Sequence, residues 1–196
     1  SASAFGVATG LLSVGADFSY ANSDSTTQAS LGDNVSVTGA SLQVSATGND
    51  SNYSLAKAGS GGLVTVPFSA AYTQSTSRTY ATTGSGDATR KFDVGSFYLG
   101  ARQTGNFNSW IESTVASLVG VSGALAKNTV NADTQALLGT SAYVEADNVT
   151  MQSGNALNKA SPGAKIPGTN YDTPGWNVVS SSGGLADVPA AESATT

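Results

Sequence analysis

The feature that most constrains this chain is a repeat within it. Gly10-Leu11-Leu12-Ser13-Val14 opens a block that closes, without gaps, at Thr27-Gln28-Ala29-Ser30-Leu31-Gly32. Gly62-Leu63-Val64-Thr65-Val66 opens a block of equal length ending at Gly84, and Ser117-Leu118-Val119-Gly120-Val121 opens a third ending at Gly139. Gly183-Gly184-Leu185-Ala186-Asp187-Val188-Pro189 echoes Gly61 to Pro67, so a fourth unit begins there and the sequence stops inside it. The residues before Gly10 read as the tail of a preceding unit. Self-similarity at a period of several tens of residues is the mark of an array whose units cover one another's apolar faces.

Each block is followed by a second shared series of apolar residues. The spacing equates Val37, Leu42 and Val44 with Val94, Leu99 and Ala101, and with Val144, Val149 and Met151. Each series ends in a Gly-Asn pair, which places Asn49, Asn106 and Asn155 in one turn as a candidate amide ladder with a structural role. The units read as 10–61, 62–116 and 117–183, with an insertion at 158–182 in the third and the start of a fourth at 184–196.

Alternation of Val, Leu, Tyr and Phe with small polar residues indicates strands with one face buried. Helix formers are scarce, and the one helical candidate, Asn106 to Leu118, is only moderately periodic. The class is all-β. Short strands, small turn residues and in-out alternation are the requirements of a parallel β-solenoid, or β-helix, built from imperfect repeats. With ~20 to 25 residues per coil, each unit makes about two coils, and eight or nine coils stacked at ~4.8 Å make a rod of roughly 40 Å.

Composition excludes much chemistry. There are 51 serines and threonines and 23 glycines among 196 residues, only 11% of residues are charged, and Cys and His are both absent. Disulfides, Cys or His metal sites and His-dependent nucleophiles are therefore impossible. A net charge of −5 argues against a nucleic-acid partner, which needs clustered cations. No apolar run approaches the ~20 residues of a membrane-spanning helix, so no membrane insertion is expected. No repeated Gly-Gly-x-Gly-x-Asp pattern marks a calcium site, so no metal and no cofactor are expected.

The alternating strands Asp33-Asn34-Val35-Ser36-Val37 and Leu42-Gln43-Val44-Ser45-Ala46-Thr47, with Asn128-Thr129-Val130-Asn131-Ala132-Asp133-Thr134-Gln135-Ala136, resemble the repeat region of large bacterial surface adhesins of the filamentous-haemagglutinin-like kind. The resemblance covers about three quarters of the chain. It implies a right-handed parallel β-helix, export to the extracellular cell surface, and a non-catalytic role as stalk or adhesin with a glycan or a host or cell-surface receptor as partner. The long insertion after Asn155 departs from that pattern.

The insertion holds Pro162, Pro167 and Pro174 with Tyr171 and Trp176, and extra residues in one unit of an array loop onto a face. Tyr171 and Trp176 are candidates for stacking on a sugar, or Trp176 folds back over a groove. Ser85 to Lys91 reads as a solvated loop. Glu145 and Asp147 share one strand face, which raises the competing reading of a polysaccharide-active β-helix enzyme, but no repeated acidic row accompanies them. A third reading is a homopolymer, in which the ends of the solenoid pair chain to chain.

Overall fold

The computed structural model describes residues 1–87, 89–161, 163, 165 and 175–196, with residue 187 described by its backbone alone. These residues form six strands and no helix: β1 (Ala2–Leu31), β2 (Val37–Thr83), β3 (Phe92–Leu137), β4 (Val144–Lys159), β5 (Val178–Gly183) and β6 (Ala186–Thr195). The one helical candidate, Asn106 to Leu118, is the middle of β3, where Phe107 to Ile111 are all buried and burial then alternates through Ser113 to Val115.

All strand pairing between these elements is parallel, in the order β1-β2-β3-β4, with β5 and β6 also on β3. Gly10 pairs with Gly62, Gly62 with Ser117, and Val119 with Ala186. The residues that open the sequence blocks therefore lie in one column. β4, β5 and β6 follow one another along β3 as three pieces of a fourth layer.

A strand as long as β2, with 47 residues, would reach about 155 Å if straight. It doubles back instead. Asn52 donates from Nδ2 to the Gln74 carbonyl at 2.8 Å, Val44 shares a core cluster with Ala81, and Ala56 shares one with Ala71. The outward and return halves of the strand thus face each other across the interior. Strands are long rather than the expected pieces of two to four residues, and each layer takes a whole unit rather than half of one. The residues described span four layers, about 15–20 Å at the ordinary strand spacing, and not the 40 Å expected. In the other direction, the 25-residue stretch 37–61 reaches roughly 80 Å.

Glycines permit the reversals. At one, a side-chain carbon on Gly62 would fall 1.8 Å from the Gly10 carbonyl oxygen. At the other, the loops joining the strands come together: Asn34, at φ 57°, donates its N–H to the Ser85 carbonyl, and Arg90 donates to the Asn34 side chain at 2.9 Å. Asn is among the few non-Gly residues that enter the left-handed region readily.

The interior is divided. Phe97 and Leu99 are almost wholly buried and pack with Phe92, Val94, Val44 and Ala101, and Phe92 stacks on Phe97 at 5.9 Å. Trp110 and Leu55 are fully buried, with Trp110 stacked on Tyr53 at 5.7 Å. Burying each such large side chain stabilises by about 1.5–3 kcal/mol. Between these clusters the halves approach on small and hydroxylated residues such as Ala71, Thr73 and Thr79. That is where the chain uses its abundant Ser, Thr and Ala. Buried amides join the layers there: Asn52 also donates to the Ala21 carbonyl at 3.0 Å, and Thr73 donates to Asn128 Oδ1 at 2.5 Å.

Candidate functional site

Register decides which predicted residues meet. Asn49 lies beside Thr104, Asn106 beside Ser51 and Asn158, and Asn155 beside Gln103. The expected ladder of Asn49, Asn106 and Asn155 does not form. Matching the Gly-Asn pairs displaces the second unit by two residues, since the true partners of Val37 and Leu42 are Phe92 and Phe97, and sets Asn155 one residue short of Ala156, which continues the column of Asn49 and Thr104. A two-residue slip keeps every side chain on its own face, so alternation alone does not detect it.

The same slip hid the surroundings of Glu145. Its register neighbour is Asp93, with Thr38 next in the column. Lys91 reaches across to bond Glu145 and lies 3.1 Å from Asp93. Those two carboxylates hold the Lys91 ammonium above its ordinary pKa, Glu145 contributing most. Asp147 stands on the same strand face as Glu145, and both line an open groove of about 410 Å³ with Thr38, Asp93 and Gly95.

Tyr171 lies outside the described residues. Trp176 is 70% exposed, so its indole does not fold back over a groove. The chain just after it is fixed by Asn177, whose carbonyl accepts from the Ile111 N–H at 2.9 Å and whose side chain accepts from Asn108 at 3.1 Å. Between β2 and β3, Asp87 accepts from the Thr89 N–H and hydroxyl at 2.9 and 2.6 Å and from the Arg90 N–H at 3.0 Å. These bonds, those from Thr89 foremost, hold the Asp87 carboxyl below its ordinary range.

A second groove has no counterpart in the sequence reading. It is a groove of about 400 Å³ on the outer face of the sheet, around Ser45, Thr47, Tyr98, Gly100, Arg102 and Gln152. Tyr98, Gly100 and Arg102 alternate along β3 and so project from one face. A side-chain carbon on Gly100 would lie 2.4, 2.5 and 2.6 Å from Tyr98 Oη, Cε1 and Cζ. The three nearest atoms put the hydroxyl end of the ring, its Oη–Cζ–Cε1 edge, over the bare position of Gly100, so the Tyr98 side chain runs along the strand across Gly100. Gln152 donates to Tyr98 Oη at 2.5 Å and fixes the ring tip. Gly154, the register partner of Arg102, has open space where a side chain would be and leaves the floor low. The sequence signal was the triplet Tyr-x-Gly-x-Arg, an aromatic beside a bare position on an outward face.

Among the described residues no group of three or more metal-ligating side chains converges, and no helix is long and apolar enough to cross a membrane. No family model matches the chain, and neither the curated proteins nor the solved structures contain a match.

Proposed function

We propose that this chain is a stretch of β-solenoid from an extracellular bacterial adhesin or surface filament, of the filamentous-haemagglutinin-like kind, with a presenting rather than a catalytic role. The observation that carries the reading is the register: successive layers are parallel and offset by one whole unit, 52 residues from Ala2 to Ser54 and 55 from Val37 to Phe92. Such stacking extends indefinitely by adding units, as a filament needs. Each unit adds only ~4.8 Å of length but a strip roughly 80 Å wide. The architecture therefore favours display of surface over economy of reach. With Glu145 tied to Lys91, the alternative of a polysaccharide-active enzyme lacks a free carboxylate pair at that position.

Electron microscopy of the native polypeptide, with its intact mass, tests the reading. A mass well above 19.4 kDa and a particle with a ~4.8 Å layer repeat are expected. A compact particle without that repeat overturns it. A mass near 19.4 kDa with filaments present selects the second reading, a homopolymer, in whose support stands the pairing of β1 with β2 alone among the described residues, its other edge being free to take a further layer.

A further inference from the structure

We propose that the groove around Tyr98 and Arg102 is a subsite for an acidic oligosaccharide, with a sugar ring on the tyrosine face and its carboxylate on the guanidinium. The inference deepens the reading of the chain as a displayed binding surface, and names the ligand class of one site on it.

The first ground is the platform. An aromatic side chain laid along a sheet offers a ring face to the C–H side of a pyranose, and Tyr98 can run along the strand because Gly100, under its hydroxyl end, has no side chain. Its tip is pinned by Gln152, so little side-chain freedom is lost on binding. Tyr98 Oη accepts that bond and keeps its own proton to donate to a sugar hydroxyl, while Gln152 Oε1 stands ready to accept one.

The second ground is charge. Lys57, Arg78 and Lys91 each hold a carboxylate, at 3.1 Å from Glu112, 2.9 Å from Asp24 and 3.1 Å from Asp93. Arg102 is exposed, two residues beyond the ring edge on the same face, and makes no ion pair or side-chain hydrogen bond among the described residues. No Asp or Glu lines the groove. An unpaired guanidinium in an acid-free groove presents a fork that fits one carboxylate bidentately. With a net charge of −5 and a single local cation, the site suits an isolated carboxylate on a neutral frame rather than a polyanion.

Ligand-observed NMR titrations of the whole chain with trigalacturonate, sialyllactose, maltotriose and triglutamate decide the matter. Saturable binding of at least one of the two acidic saccharides, exceeding that of maltotriose and triglutamate, is expected. Arg102→Gln should weaken it about tenfold or more, and Tyr98→Ala should do likewise. Gly100→Ser lifts the ring without removing any binding group and should also weaken it. Both Tyr98 and Arg102 lie on the outer face, and an unchanged circular dichroism spectrum for Arg102→Gln certifies the fold. Absence of saturation by both acidic saccharides at ~20 mM overturns the proposal. So does equal binding of maltotriose, equal binding of triglutamate, or indifference of a folded Arg102→Gln protein. Layer spacing and native mass do not depend on these titrations, so failure of the subsite leaves the solenoid reading standing.

Discussion

The carbonyl oxygen of Gly32 lies 2.4 Å from the point where a side chain on Gly84 would begin, and Gly84 stands in the same relation to Gly139, at 2.1 Å. The three glycines that close the sequence blocks are thus stacked, Gly84 and Gly139 each leaving room for the backbone of the layer before it. Gly84→Ala forces that backbone apart and should destabilise by about 1–3 kcal/mol or more, as overpacking does. Gly39→Ala, at a strand position with nothing within 4 Å, should be neutral or stabilising by about 0.5 kcal/mol. Urea unfolding of the two variants checks the contrast, and equal destabilisation would mean that the layers do not stack in this register.

Asp133 couples stability to pH at both extremes. It accepts from Tyr80 Oη at 2.6 Å and from Gln135 Nε2 at 2.8 Å, and these bonds hold its carboxyl below the usual range. The same bond, to an acceptor that is already anionic, raises the Tyr80 phenol above its usual value. Asp133 therefore contributes stability that is present above its unfolded pKa near 3.9 and lost as pH falls through the lower folded value. Tyr80 contributes stability that is present below its unfolded pKa near 10 and lost as pH rises through the higher folded value. Melting temperatures of Asp133→Asn against pH should show a shallower fall than the parent on both the acid and the alkaline limb. A profile parallel to the parent at both ends would remove this pair from the account.

How much of this was legible in the sequence depends on what a period-two pattern can carry. The gapless blocks opening at Gly10, Gly62 and Ser117 mark the column that the strands follow, because Leu recurs at their second position and Val at their fifth. The second series has only alternation to align it, which sets Val94 against Val37 where Phe92 is the partner, and shifts Asn106 and the second-unit neighbour of Glu145 with it. Layer length was hidden for a different reason. Each unit carries two apolar series, and alternation does not say whether the second starts a new layer or returns across from the first. The contact of Asn52 with Gln74 in one strand answers that, and only three-dimensional structure contains it. Tyr98 and Arg102 escaped notice because an outward-facing polar triplet has no periodic signature among so many Ser and Thr.

Asn52 should be the costliest asparagine to remove from β2. Its side chain is 2% exposed and donates both to Ala21 in the neighbouring layer and to Gln74 in the opposite half of its own strand. Asn52→Ala loses both bonds in a buried setting, and a cost of about 2–4 kcal/mol is expected. Asn49, three residues earlier, points outward beside Thr104, and Asn49→Ala should stay within about 0.5 kcal/mol. Were Asn49 to cost as much as Asn52, an amide ladder at 49, 106 and 155 would regain its case.

The two tryptophans should report opposite environments. Trp110 is fully buried and stacked on Tyr53, whereas Trp176 is 70% exposed. Acrylamide should quench one component of the emission readily and leave the other nearly untouched, and Trp176→Phe should remove the quenchable component alone. Stability should follow the same division. Trp110→Ala opens the cluster of Tyr53 and Leu55 and should cost about 3–5 kcal/mol, while Trp176→Ala should fall within about 0.5 kcal/mol. Trp110→Phe refines the point. The indole Nε1 is buried with no hydrogen-bond partner among the described residues, so the smaller ring loses packing but none of the polar contacts described, and its cost should be well below that of alanine. A Trp176→Phe protein that keeps an accessible emitter would place Trp110 at the surface, and the doubled-back arrangement of β3 would fail with it.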